Sequence, residues 1–208
     1  MSSAPLVCAA LGIEARTVRK GWPDADVVVV GMKAPHLGRV EGHDGPVLLL
    51  GFGGGLDPKQ QPGDVVVATE IRDSGSRTKL PAASQAQRLL HRAGVTASGG
   101  VVWCSEAIVR GKARTKLAKT ASAVDMESVR VAAACDPKQL VVVRVIVDTP
   151  TKGLVRASLF GGRRAKRVLR QVAAAFATEE RPARIESITS GTVGIAVRSN
   201  ASPHAKEG

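Results

Sequence analysis

Ala123-Val124-Asp125-Met126-Glu127-Ser128, followed by Val143-Arg144-Val145-Ile146-Val147-Asp148, decides how this chain is read. Each stretch carries an apolar run up to a carboxylate, and the carboxyl ends of buried strands are where α/β proteins hold their ligands. Asp148 precedes Thr149-Pro150, where the chain must leave the sheet because proline has no N–H for the ladder. Upstream, Gly51-Phe52-Gly53-Gly54-Gly55-Leu56-Asp57-Pro58 leads through a short loop into Gly63-Asp64-Val65-Val66-Val67, which completes a three-part pattern.

Working outward, Pro5 to Leu11 and Asp26 to Gly31 read as strands whose lack of alternation predicts cover on both faces. Pro46 to Phe52, Val65 to Ile71, Gly100 to Cys104, Ser122 to Met126 and Leu140 to Val147 read as further strands. Helical spacing marks Pro81 to Ala93, ending at Gly94, then Lys112 to Ala118, Glu127 to Cys135 before Asp136-Pro137, and Arg163 to Ala177. The alternation predicts an α/β fold, a three-layer sandwich around a central mixed, mostly parallel sheet. Residues 1–180 are expected to form one catalytic domain and 181–208 a partly disordered extension, with Arg184 to Arg198 a helix or a hairpin.

Of the 208 residues 44% are hydrophobic but only 2% aromatic, with no Tyr, so Val, Leu, Ile and Ala must build the core. Cys8, Cys104 and Cys135 are odd in number and widely spaced, which argues against a disulfide framework or a zinc site. No basic leader with an apolar run follows Met1, and no run reaches membrane-spanning length, so a cytoplasmic protein is expected. The net charge of +12 attracts polyanions. The basic residues of Arg110 to Lys119 and Arg163 to Arg170 are spaced as on solvent-facing helix surfaces, and the aromatic interleaving of single-strand binders is missing, which argues against nucleic acid.

These motifs, in this order, resemble the nucleoside phosphorylase and nucleosidase superfamily, which cleaves the N-glycosidic bond of nucleosides, and most of all its hopanoid-associated phosphorylases. The resemblance implies that Asp148 is the acid that protonates a departing purine at N7. Arg144-Val145-Ile146-Val147-Asp148 matches the family's Arg-x-x-Ser-Asp motif except at Val147, a base-side position that lacks the serine hydroxyl. Met126 and Glu127 match the pair that packs on the sugar and accepts its 2' and 3' hydroxyls, a carboxylate that also favours an oxocarbenium-like state. Glu14 falls where hydrolytic members carry the carboxylate that activates water. Position alone also allows Asp148 as a turn or cap residue, and Glu127 and Glu14 as first-turn helix acids.

By the same resemblance, backbone at Gly53 and Gly54 approaches the nucleophile and sugar, although Phe52 stands where many members have Ser or Thr. Ile108 and Val109 follow the strand whose exit reads the purine edge. Lys33 and Arg144 are the cations available to a phosphate. No metal or cofactor is implied, only inorganic phosphate as co-substrate in a phosphorylase. The leading expectation is phosphorolysis of a 5'-substituted adenosine such as adenosylhopane by a homo-oligomer. Arg163, Arg164, Lys166, Arg167 and Arg170, beside Leu159-Phe160, would then contact an anionic membrane peripherally. The alternatives are a hydrolytic methylthioadenosine/S-adenosylhomocysteine nucleosidase, a futalosine hydrolase, or a basic binding protein without activity. Val147, Phe52 and Lys33 argue for that last reading, and retention of Asp148, Glu127 and Glu14 together argues against it.

Overall fold

In the computed structural model, residues 4–150 and 162–189 are described, with side chains through 178. The strands are β1 (Leu6–Ala9), β2 (Asp26–Val29), β3 (Val47–Gly55), β4 (Val65–Arg72), β5 (Arg77–Lys79), β6 (Ala97–Cys104), β7 (Ala123–Asp125) and β8 (Leu140–Asp148). Between and after them lie α1 (Gly12–Gly21), α2 (Gly38–Glu41), α3 (Ala83–Arg92), α4 (Gly111–Leu117), α5 (Ser128–Ala133) and α6 (Arg163–Thr189).

All strands join one sheet in the order β2-β1-β3-β7-β6-β4-β5, and β8 pairs with both β3 and β4. Pairing is parallel for β1 with β2, β1 with β3, β3 with β8, β4 with β6 and β6 with β7, and antiparallel for the other pairs. The fold is thus α/β with a central mixed, mostly parallel sheet, as the alternation of elements predicted. The sheet also curls until β3, β8, β4, β6 and β7 close a ring, a closure that no local sequence signal announced.

β8 shows why these strands are continuously apolar. Val141, Val143 and Val145 pack into a core with Ala15 and Val18 of α1, Leu89 and Leu90 of α3, and Leu169 and Val172 of α6. Leu140, Val142 and Ile146 enter a second core with Leu6, Cys8, Leu49, Val66, Val102 and Val131. Both faces are covered, so alternation with polar residues has no place. Each fully buried aliphatic side chain contributes about 1.5–3 kcal/mol, and Leu49→Ala would cost about 2–5 kcal/mol.

On α3, Ala86, Leu89 and Leu90, whose helical spacing the sequence marked, are buried together with Ala83, whereas Ala93 of the same pattern is exposed at the helix end. The short α2 and β5 were not anticipated, and β6 begins at Ala97, earlier than the expected Gly100. Leu159-Phe160, invoked for membrane contact, and residues 190–208 lie outside the described residues. No helix among the described residues is long and apolar enough to cross a membrane.

Candidate active site

The even-numbered face of β8 carries Arg144 into the second core, where its side chain is 0% exposed. A guanidinium cannot be buried there without acceptors. Nε and Nη2 donate to Oδ2 of Asp125 at 2.8 and 2.5 Å, and Nη2 reaches Oε2 of Glu127 at 3.4 Å. Asp125 is fixed in turn by the Ser128 hydroxyl, which donates to Oδ1 at 2.8 Å. Oε1 of Glu127 accepts the backbone N–H of Lys33 at 3.2 Å. That N–H comes from a turn in which Lys33 (φ 62°) and Ala34 (φ 48°) are both left-handed, an uncommon state for residues with a Cβ.

Glu14 reaches the same cluster from α1. Its Oε2 accepts the N–H of Leu11 at 2.8 Å, a helix cap, while Oε1 accepts the N–H of Phe52 on β3 at 2.6 Å. The first-turn reading and the site reading of Glu14 are therefore compatible. A Cβ at residue 51 would lie 2.6 Å from Glu14 Oε1 and 2.9 Å from Arg144 Nη1, so only glycine lets these groups converge over β3. Arg144 Nη1 is buried with no hydrogen-bond partner among the described residues.

The cluster is electrostatically unequal, with Glu14, Asp125 and Glu127 around Arg144. Burial pushes the Glu14 carboxyl from its ordinary 4.5 up to about 7, against the pull of Arg144 and the two N–H donors. Burial also raises Glu127, with Arg144 opposing and Asp125 reinforcing. Burial pulls Arg144 down, but Asp125, Glu127 and Glu14 outweigh it, so its pKa moves upward and the cation persists.

A second charged pair closes the strand end. The β3–β8 register shifts so that Ile146 pairs with Gly53 and Asp148 with Gly54, stepping over Val147, whose side chain packs against the helix-side core. Asp148 Oδ2 accepts Nη1 of Arg114, from α4, at 2.5 Å. Arg114 Nη2 also donates to the Asp148 carbonyl at 2.9 Å, and Nε and Nη2 donate to the Gly55 carbonyl at 2.9 and 2.6 Å. A Cβ at residue 54 would stand 3.0 Å from Arg114 Nη2 and 3.3 Å from Asp148 Oδ1.

Glu14, Arg144, Glu127 and the glycines of β3 thus meet, and Asp148 lies four residues further along, at the end of β8. Gly53 has room only for the Arg144 stem, since a Cβ there would sit 3.1 Å from Arg144 Cβ. Met126 is half-buried, its N–H 3.4 Å from Glu127 Oε2, while Val109 is half-buried and Ile108 exposed. Phe52 turns its ring to the helix-side core and gives the site only its N–H. Lys33 likewise gives only its N–H, because its ammonium is half exposed and faces Glu106 at 3.9 Å. It is not among the groups around Arg144.

Sequence reasoning passed over Asp125 and Arg114. Asp125 had a signal, an acid inside a short apolar strand in a chain with a buried arginine to neutralise. Arg114 had none, and the solvent-facing reading of Arg110 to Lys119 fails there, since Arg114 is 6% exposed within a helix whose other cations are not buried. Among the described residues, no group of His, Cys, Asp and Glu is arranged to hold a metal.

The model of the phosphorylase superfamily matches residues 21–178, and the chain belongs to that family. It is therefore a nucleoside phosphorylase or nucleosidase by class. Glu14 lies outside the matched span. Among solved structures, the fold is similar to a 5'-methylthioadenosine/S-adenosyl homocysteine nucleosidase of Campylobacter jejuni, with a TM-score of 0.68 and 15% identity over 84% of this chain and 98% of that one. Futalosine hydrolase of Helicobacter pylori gives a TM-score of 0.67 and 17% identity over 85% and 98% of the two chains. The 5'-methylthioadenosine/S-adenosylhomocysteine nucleosidase of Neisseria meningitidis, in complex with methylthio-immucillin-A, gives 0.69 and 17% over 84% and 98%. At these identities the likeness establishes the fold. No curated protein matches the chain.

Proposed function

We propose that the protein hydrolyses the N-glycosidic bond of a purine nucleoside, with Glu14 as the base that activates water and Asp148 as the acid that protonates the leaving purine. Water forms the new bond to C1', and the electron pair of the broken C1'–N9 bond leaves with the base. Asp148 gives its proton to N7 while Glu14 takes one from the water, and exchange with solvent resets both groups. Glu127 accepts the ribose hydroxyls and opposes the positive charge that builds on C1' and the ring oxygen.

The observation that carries this reading is the Glu14–Arg144 convergence over Gly51. A buried carboxyl raised to about 7 is poised to take a proton near neutrality, and an unpartnered Nη1 stands beside it to orient the attacking oxygen. Phosphate fits less well, because a dianion entering there would meet Glu14 and Glu127, with Arg144 already engaged by Asp125. The same Nη1 is what a phosphorolytic reading would rely on. A 5'-substituted adenosine carried on a lipid rests on the sequence resemblance, with the exposed Arg163, Arg164, Arg167 and Arg170 of α6 as its support.

The test is base release from adenosine and a panel of 5'-substituted adenosines, with and without phosphate, followed by identification of the sugar. Free sugar at a phosphate-independent rate is expected. A sugar 1-phosphate formed only with phosphate would replace hydrolysis by phosphorolysis, and no base release from any of them would end both.

A further inference from the structure

Val147 stands where the family motif has serine, and its side chain packs away into the helix-side core, so this position offers the Asp148 carboxylate no hydroxyl. Arg114 makes the contact instead. Its Nη1 lies 2.5 Å from Asp148 Oδ2, and its remaining bonds go to the backbone carbonyls of Asp148 and Gly55. A planar guanidinium tied to acceptors on two neighbouring strands cannot turn without breaking several charge-assisted bonds, and a carboxylate held by one oxygen loses its freedom about the Cβ–Cγ bond. Gly54 is part of the device, because its missing Cβ leaves the guanidinium its place.

We infer that Arg114 is the positioning residue for the purine acid, holding Oδ2 of Asp148 so that Oδ1, which carries the proton given to N7, is presented to the leaving base. The inference rests on the assignment of Asp148 as that acid. The plain alternative is that Arg114 only anchors α4 to the sheet. A substrate whose leaving group needs no proton separates the two. para-Nitrophenyl β-ribofuranoside is such a substrate, since nitrophenolate departs as a stabilised anion.

The full chain carrying Arg114→Met, Arg114→Lys, Asp148→Asn or the double change Asp148→Asn with Arg114→Met is assayed on the best purine nucleoside and on the nitrophenyl riboside. Arg114→Met is expected to lose roughly tenfold to a hundredfold in kcat on the purine nucleoside with KM little changed, and to stay within about threefold of wild type on the nitrophenyl riboside. Arg114→Lys keeps a cation but no fork and should fall between, and it carries the comparison if the methionine variant does not fold. The double variant should be no slower than Asp148→Asn alone, as for groups that act as one unit. Equal losses on both substrates would reduce Arg114 to an anchor, and an unchanged purine rate would remove it from the reaction. Near-normal purine turnover in Asp148→Asn would instead sink the acid assignment itself.

Discussion

Among the described residues two arginines are buried, Arg144 on strand β8 and Arg114 on helix α4, and they are buried differently. Arg144 lies in the interior among Glu14, Asp125 and Glu127, whereas Arg114 at the strand ends meets Asp148 and two backbone carbonyls. The first cluster has carboxylates in excess, and there burial, with a small push from Glu127, lifts Glu14 into the neutral range against the pull of Arg144. The second is a one-to-one pair whose remaining N–H groups are spent on main chain, so its work is geometric. One arginine sets a charge state and the other sets a direction.

The largest effect should come from removing the cation of the richer cluster. Arg144→Met strands the surrounding carboxylates in the core and should cost about 3–5 kcal/mol of stability, with activity lost. Arg114→Met should cost clearly less. Urea unfolding of both variants checks the ranking, and equal losses would erase the distinction drawn here.

Glu14→Gln comes next, with a rate loss of roughly two to four orders of magnitude if Glu14 is the base. The wild-type rate should climb as pH rises through about 7, where the carboxyl ionises. Stability must move the other way. With a folded pKa near 7 above an unfolded value near 4.5, the group contributes stability below pH 4.5 that is lost as pH rises through 7. Unfolding measured at several pH values should show that decline in wild type and not in Glu14→Gln. A flat wild-type curve would mean that Arg144 neutralises Glu14 fully.

Glu127→Gln should slow ribosides roughly tenfold to a hundredfold more than 2'-deoxyribosides, the worth of one hydrogen bond to a charged group. Steady-state kinetics on matched pairs decides it, and equal losses would return Glu127 to the role of Arg144's counter-charge. The smallest effect concerns the outer face. Cosedimentation with anionic liposomes should weaken as salt rises, and further when Arg163, Arg164, Arg167 and Arg170 are changed to Gln, at about 1 kcal/mol for each cation that nears the surface. Binding that ignores lipid charge would leave the +12 as a solvated surface.

The difference between the two arginines also explains what could be read from sequence. β8, Glu127, Arg144 and Asp148 were legible because strand patterning and a motif point to them within a few residues of one another. Asp125 belonged to the same string and needed only the argument that a core arginine must be neutralised. Arg114 is separated from Asp148 by 34 residues and sits in a run of cations, so only the closure of β3, β7 and β8 brings it to the acid. The ring itself was hidden for the same reason, since pairing of β8 with both β3 and β4 is a long-range property. For Lys33 sequence locates a backbone position and leaves open which of its groups turns inward; the N–H does, while the ammonium faces Glu106.

That ring has a bearing on self-association. Strands that pair on both sides offer no template to another chain, so the part of the sheet holding the charged clusters is shielded from strand exchange. Among the described residues, open edges remain only at β2 and β5, four and three residues long. β5 carries Arg77 and Lys79, while at β2 the Val27 carbonyl is taken by Arg19 at 2.9 Å and Asp26 is tied to Arg39. Short, charged and partly occupied edges are poor seeds for fibrils, and a chain this rich in valine has good use for them.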